Sequence, residues 1–261
     1  MWDIDSFFDQ GFYFVLVFVG LLFVLVPFAL WLTYRHRAKV FPRSIAFEEL
    51  PEQVQKFMQP RVEAIALWGF DLVAYLNLGP LSAGTESFMA LLSNPHTSEW
   101  ADVSFVVSPR KSRGYMEFTT HCSEEVQVDT NTNPIPPALF RTPNSHVFHF
   151  PQVDDVFTLY RLHRKLVDLS TNGNRPILPS RGQEVAELQR RLERFGPWQQ
   201  SRGYMYLQPP GKFYRLTLKG AIVGGWRAIW PVARMRSFWS RRKSEAILRK
   251  IGLADQPRES A

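Results

Sequence analysis

The sequence holds a single cysteine, Cys122, among 261 residues. An intrachain disulfide is therefore excluded, and the fold has to be stabilised by its apolar core. One cysteine in a chain of this length fits a reducing compartment without requiring one.

Glycine-rich phosphate loops are also missing. Two stretches combine glycine with polar or aromatic residues, TNGNR at 171–175 and GGWRA at 224–228. Neither has the order of strand, glycine-rich turn and helix that a nucleotide-binding loop needs. The sequence shows no internal repeat and no extended low-complexity tract, and it predicts no cofactor.

Histidines do not gather into a metal site or a catalytic set. His146 and His149 stand three apart on a predicted strand, so their side chains point to opposite faces. The same alternation separates His121 from Cys122, and no further ligands are evident beside them. His163 falls on the apolar stripe of a predicted helix, which favours a histidine at the core edge over a catalytic base. We therefore predict no metal ligand and no catalytic residue.

Acidic residues are outnumbered by basic ones. The chain has 31 lysines and arginines against 24 acids, a formal net charge of +7 and a pI of about 9.7. This balance indicates an anionic partner, either nucleic acid or the acidic headgroups of a membrane. The 45% share of hydrophobic residues is typical of a globular protein with a sizeable core.

The strongest pattern is an uncharged apolar run at 12–33, FYFVLVFVGLLFVLVPFALWLT. At 1.5 Å per residue its length is roughly 33 Å, close to the hydrocarbon thickness of a bilayer. Acids precede the run and cations follow it: Asp3, Asp5 and Asp9, then Arg35, Arg37, Lys39 and Arg43. This order argues against a signal peptide and places the N-terminus outside and the rest in the cytoplasm. The sequence predicts an extracytoplasmic N-terminus at 1–11, a single-pass transmembrane helix at 12–34 and a basic linker at 35–45.

Residues 46–218 have the pattern of an α+β domain. A helix-forming stretch at 47–70 contains Pro60 and ends near Gly69. Short apolar runs then predict an antiparallel meander with strands at 72–78, 88–92, 103–107, 115–122, 126–130 and 146–150. Amphipathic patterns at 153–170 and 182–195 predict two helices that cover the buried face of this sheet.

Two of these strands can be paired residue by residue. With residues 123–125 as a hairpin loop, the apolar pairs lie on one side of the ribbon: Cys122 with Val126, Thr120 with Val128 and Phe118 with Thr130. The other side pairs His121 with Gln127, Thr119 with Asp129 and Glu117 with Asn131. We expect one buried and one wet face. The candidates for a ligand face are Glu117, Thr119, His121 and Asp129, and the alternative is a face that only meets solvent.

The stretch GYMYLQPPGKFYRLTLKG at 203–220 predicts a hairpin with strands at 204–207 and 213–218. Its second strand, ending in LTLKG, resembles the wing of winged-helix DNA-binding domains over about fifteen residues. The resemblance implies contact with nucleic acid. FGPWQQSRG stands where such a domain places its recognition helix pair.

Residues 219–261 are predicted to form a basic amphipathic helix, bent at Pro231, and a tail. Its tryptophans and cations are the candidates for contact with a membrane surface: Trp226, Arg227, Trp230, Arg234, Arg236, Trp239, Arg241, Arg242 and Lys243. The alternatives are packing on the domain core and contact with nucleic acid. A second span is disfavoured because the apolar run is short and contains Arg227.

The leading functional hypothesis is a single-pass membrane protein whose cytoplasmic α+β domain binds as an accessory component without catalysis of its own. Its predicted partners are the lipid bilayer and anionic headgroups, and no protein partner can be named. One alternative is a membrane-tethered enzyme that uses the polar sheet face. The other is a membrane-tethered nucleic-acid binder of winged-helix type.

Overall fold

The structure, a computed structural model, describes residues 4–80, 84–109, 112–122, 126–133, 145–171, 176–177 and 181–252. For residues 4–12, 15, 16 and 18 it describes the backbone alone. The predicted hairpin loop at 123–125 and most of the predicted loop at 171–180 lie outside the described residues.

The described part of the chain contains helices and strands in an α+β arrangement, as predicted. The helices are α1 Ile4–Thr33, α2 Glu52–Ala66, α3 Val156–Ser170, α4 Glu184–Ser201, α5 Leu218–Ala228 and α6 Val232–Lys250. The strands are β1 Arg35–Arg37, β2 Arg43–Ile45, β3 Asp71–Gly79, β4 Glu86–Asn94, β5 Glu99–Val107, β6 Arg113–His121, β7 Gln127–Asn131, β8 Ser145–His149, β9 Met205–Gln208 and β10 Phe213–Leu216.

Strands β2 to β8 form one seven-stranded sheet in chain order. All six predicted strands are present in it, and β2 is added at its edge. The prediction of a fully antiparallel meander is wrong for the last pair, because β7 and β8 run parallel. Residues 132–144 separate these two strands, which is long enough for the chain to return to the same end of the sheet.

The main core lies between one face of this sheet and helices α2 and α3. The stripe predicted on α3 is buried at every position: Val156, Leu159, Tyr160, His163, Leu166 and Val167. Helix α3 begins after Asp155, whose side chain accepts a hydrogen bond from the Thr158 amide at 2.6 Å. Helix α2 ends near Gly69, whose φ of +82° suits glycine.

Helix α4 lies on the opposite face of the sheet, so the prediction that both helices cover the same face is wrong. Leu188 packs there against Leu76, Leu91 and Trp100. The reason is that β3 and β4 are apolar on both faces and need cover on both.

A second, three-stranded sheet has the order β1–β10–β9. The predicted hairpin is present, but its second strand ends at Leu216 and Thr217 caps α5 by accepting a bond from the Gly220 amide. Strand β1 pairs Arg35 with Arg215, so part of the predicted linker belongs to this sheet.

The predicted bent C-terminal helix is two helices, α5 and α6, separated by residues 229–231. Pro231 lies at this break, where its ring and its missing N–H disfavour a continuous helix. Within the described side chains, no helix combines the length and hydropathy that a membrane crossing requires.

Candidate functional site

The polar side of the β6–β7 ribbon has the predicted register. Glu117 faces Asn131, Thr119 faces Asp129 and His121 faces Gln127. The structure therefore brings all four predicted ligand-face residues onto one face of the sheet.

This face is buried at its centre, so the expectation that solvent covers it is wrong there. Asp129 is 4% exposed and Thr119 is 7% exposed. The Asp129 carboxylate accepts hydrogen bonds from Thr119 Oγ1 at 2.9 Å and from Gln127 Nε2 at 2.7 Å. Burial raises the pKa of Asp129, and these hydrogen bonds oppose the shift. The carboxylate is thus held by its own sheet.

His121 is held by an arginine from α4. Arg191 donates from Nη1 to His121 Nε2, and its guanidinium lies 4.0 Å from the centre of the Trp100 ring. Burial, together with the charges of Arg191 and Arg194, lowers the pKa of His121 to about 3. His121 is therefore neutral near pH 7 and acts as a hydrogen-bond acceptor for Arg191.

Sequence reasoning missed the part of this face contributed by β5 and β8. Asp102 faces Glu117 across the β5–β6 ladder, and Asn131 Nδ2 donates to Glu117 Oε2 at 2.6 Å. His149 Nδ1 lies 2.7 Å from Asn131 Oδ1. The alternation of Asp102 and Ser104 with the apolar residues of β5 was the signal that could have added this strand to the face.

Asp102 is a second acid of the face with a raised pKa. Burial raises its pKa to about 7; the Ser104 hydrogen bond opposes this shift, and the nearby charge of Asp129 adds to it. Chemically, Asp102 and Glu117 are two carboxyl groups on neighbouring strands, one of them able to hold a proton near neutral pH. No group of three or more histidine, cysteine or acidic side chains within the described residues has metal-ligand geometry.

His163 lies in the main core, on the opposite face of the sheet. It is fully buried, with Nε2 2.8 Å from Thr120 Oγ1 and Nδ1 3.0 Å from Thr130 Oγ1. Burial lowers its pKa to about 3. The prediction of a structural histidine fits this environment, although the residue is central to the core and not at its edge.

The residues predicted to meet a membrane surface divide between α5 and α6. Trp226 and Trp230 are 48% and 68% exposed, and Trp239 is 63% exposed. Arg227 and Arg236 are half-buried, and the other cations of the set are exposed: Arg234, Arg241, Arg242 and Lys243. The aromatic rings therefore lie at the surface and not in the core.

Helix α5 packs against the second half of α1. Trp226 Nε1 donates to the Phe23 carbonyl at 3.0 Å, and a Cβ atom on Gly225 would lie 2.7 Å from Pro27 Cγ. Near the start of α5, the Arg215 side chain donates to the Leu32 carbonyl at 2.6 Å. The contacts move backward along α1 as the chain advances, so the two helices are antiparallel.

The absence of a side chain at Gly225 makes this close approach possible. The buried positions of α5 are Gly220, Ala221, Gly224 and Gly225. Of these, Gly225 faces Pro27 of α1, whereas Gly220 lies against the Tyr204 carbonyl.

Helix α6 changes its environment along its length. Met235, Phe238 and Trp239 are exposed, whereas Ile247 and Leu248 pack on the main core. Both alternatives for this segment therefore have a structural basis, surface exposure in the first half and core packing in the second.

A groove of about 350 Å³ lies between α6 and the edge strand β8. Phe148, Phe150 and Ile247 contribute its apolar lining, and Arg236 and Lys243 contribute cations. Among the described residues that line it, none is acidic. The sequence did not predict this groove because the packing of α6 against β8 joins two segments that are far apart in the chain.

Comparison with known proteins adds no family assignment. No family model, curated protein or solved structure matches the chain. Function has to be inferred from the residues and their geometry.

Proposed function

We propose that this protein is anchored in a membrane by α1 and acts there as a binding or accessory component through its α+β domain. The observation that carries the proposal is the apolar surface of α1. Nine of its side chains are between 38% and 72% exposed: Tyr13, Phe14, Val17, Leu21, Val24, Leu25, Phe28, Trp31 and Leu32. So many exposed apolar side chains on one helix are typical of a surface that meets lipid.

The sequence supports the length of the anchor. Residues 12–33 carry no charge, and the side chains at 12, 15, 16 and 18 lie outside the described ones. The exposed cations Arg35, Arg37 and Lys39 follow the run directly. By the positive-inside rule, they favour a cytoplasmic location for the α+β domain.

Helix α5 would enter the same membrane beside α1. Phe23, which contacts Trp226, is ten residues before the end of α1 at Thr33, a distance of about 15 Å along a helix. This is half the hydrocarbon thickness of roughly 30 Å. If α1 spans the bilayer, α5 extends into its inner half, and eleven residues are too few for it to cross.

Labelling of single cysteines tests the anchor and its orientation. In a Cys122→Ser background, the variants Ser6→Cys and Glu52→Cys place one thiol on each side of the uncharged apolar run at 12–33. In intact cells, an impermeant maleimide should label Ser6→Cys alone, and both should be labelled after lysis. Alkaline carbonate should leave the protein in the membrane pellet. Release of the protein by carbonate would overturn the anchor, and labelling of Glu52→Cys alone would overturn the orientation.

A membrane-tethered enzyme is the second candidate. Asp102, with a pKa of about 7, faces Glu117 across two strands, and such a pair can divide the roles of acid and base. An activity on esters or phosphoesters that is lost in both Asp102→Asn and Glu117→Gln would support it. An activity that survives both substitutions would rule out this face as its site.

We do not propose a nucleic-acid function. The hairpin that resembles a wing carries β1 along the edge of its second strand, and the residues after Leu216 turn into α5. Both edges of β10 are therefore occupied within the protein.

A further inference from the structure

The groove between α6 and β8 is lined by both apolar and basic side chains. Its apolar lining includes Phe148, Trp239 and Ile247. Its charged part is formed by Arg236 and Lys243 on α6. A ligand that fits both parts has an anionic group and an apolar portion.

Charge supports an anionic group over any other polar group. The described lining contains Arg236, Lys243 and His149 and no acidic side chain. A guanidinium presents several N–H donors in a plane, which suits the oxygen atoms of a phosphate, and an ammonium adds a point charge. The volume of about 350 Å³ accommodates a headgroup and the start of its acyl chains.

Continuity with the apolar surface supports a lipid over a free phosphate ester. Trp239 lines the groove and is 63% exposed, and Met235 and Phe238 are exposed beside it on α6. Arg236 donates to the Arg227 carbonyl at the end of α5, which links the groove to the helix that packs on α1. The groove therefore opens next to the surface that the proposed function assigns to the bilayer.

We infer that this groove binds one anionic phospholipid, with its phosphate between Arg236 and Lys243 and its acyl chains along Trp239 and the exposed face of α6. The inference rests on the proposed membrane location. It adds a discrete lipid site to a helix that otherwise attracts acidic membranes only through its overall charge.

Native mass spectrometry of the full chain in a neutral maltoside detergent tests the site. The probes are dioleoyl phosphatidylglycerol and dioleoyl phosphatidylcholine, which differ in headgroup and net charge but share their acyl chains. We expect more phosphatidylglycerol than phosphatidylcholine to be retained. The double substitution Arg236→Gln with Lys243→Gln should weaken phosphatidylglycerol binding about tenfold or more, since it removes two charge-assisted contacts.

The matched control is Arg234→Gln with Arg242→Gln. It removes the same charge from the same helix, at exposed positions that do not line the groove. Phosphatidylglycerol binding should change less than twofold. Equal weakening by both double variants would overturn the discrete site in favour of diffuse attraction, and equal retention of the two lipids would overturn it as well.

A competition experiment and a single substitution test the identity of the ligand and the position of its phosphate. Glycerol 3-phosphate at millimolar concentration should not displace the lipid, and displacement would show that the occupant is a soluble phosphate ester. Lys243→Gln alone, at an exposed position, should weaken binding about threefold without unfolding the protein, and an unchanged affinity would contradict the assigned phosphate position. Binding in detergent does not require α1 to span a bilayer, so failure here differs from failure of the cysteine labelling.

Discussion

His163 is buried without charge in the main core, between the hydroxyl groups of Thr120 and Thr130. Its pKa is lowered from 6.5 to about 3, first by burial and then by the charge of Arg164. The unfolded chain therefore binds a proton at a pH where the folded chain does not. Stability is fully present above pH 6.5 and is lost as the pH falls toward 3.

We predict that His163→Gln weakens this acid sensitivity. Between pH 7 and pH 4.5, His163 should lower the free energy of unfolding of the wild-type protein by on the order of 2–3 kcal/mol. The variant should lack this contribution. Urea unfolding at the two pH values measures the difference. His96→Gln, at an exposed position, serves as the control. Equal losses in the wild type and His163→Gln would contradict the prediction.

Asp102 should affect the pH dependence of stability in the direction opposite to His163. Its pKa is raised to about 7, mainly by burial, so the folded chain keeps a proton that the unfolded chain releases above its ordinary value of 3.8. The stability that this proton provides is lost as the pH rises toward 7. Relative to the wild type, Asp102→Asn should therefore gain about 2–3 kcal/mol between pH 5 and pH 8. Chemical unfolding of both proteins at these pH values measures this gain. If their free energies of unfolding differed by the same amount at pH 5 and pH 8, Asp102 would be ionised throughout.

The polar face shows what strand alternation can predict at the scale of residues. Alternation placed Glu117, Thr119 and His121 on one side because side chains on a strand point to opposite faces in turn. It could not place Arg191, because the position of α4 depends on which sheet face lacks cover. The state of His121 follows from the position of that helix, which brings Arg191 against its ring.

At the scale of elements, the apolar periodicity of the sequence predicted most strands and helices, but not how all of them pair and pack. The strands at 127–131 and 145–149 were recognised, yet their parallel pairing was not, since alternation is the same in both orientations. Similarly, the apolar stripe on α4 predicts that one face of the helix is buried, but it does not determine which face of the sheet the helix packs on. The division of the C-terminal segment at Pro231 was visible as a bend, but the packing of α5 on α1 was not.

The contact between α1 and α5 should depend on the absence of a side chain at Gly225. A Cβ atom there would lie 2.9 Å from Pro27 Cα and 2.7 Å from Cγ, so Gly225→Ala has to push the two helices apart. We expect a loss of about 1–3 kcal/mol, seen as a lower midpoint of thermal unfolding in detergent.

Gly20→Ala is the matched control for this substitution. It makes the same change within a helix, and nothing lies within 4 Å of the added methyl group. Helix propensity alone should make alanine neutral or stabilising at both positions, by up to about 1 kcal/mol. A similar effect of the two substitutions would show that the close approach at Gly225 contributes nothing to stability.

At the scale of the whole molecule, the two ends of the chain fold together. The three-stranded sheet joins β1 near the start of the chain to β9 and β10 near its end. Gly196 of α4 packs against the ring of Tyr214 in the same sheet, and Leu188 of α4 packs on the seven-stranded sheet. Helix α4 thus connects the large sheet to the unit formed by α1, β1 and α5.

This arrangement predicts that the C-terminal helices lose protection when α1 and β1 are removed. Deletion of residues 1–38 takes away the strand beside β10 and the helix that covers Gly225, so α5 is left with an exposed apolar face. Trypsin should then cut rapidly within α5 and the first half of α6, at Arg227, Arg234 and Arg236, whereas the second half of α6 keeps its packing on the main core. Mass spectrometry of the fragments in detergent measures the change, and the segment from β3 to α3 should stay protected because its core lacks contributions from α1.

Deletion of residues 1–18 provides the comparison. It shortens α1 but keeps Phe23, Pro27 and Leu32, the positions that contact α5 and Arg215. Because those contacts and β1 remain, α5 and α6 should be cut as slowly as in the full chain. Rapid cleavage in both deletions would mean that the first half of α1 stabilises the C-terminal helices, and slow cleavage in both would mean that α5 holds its position without α1.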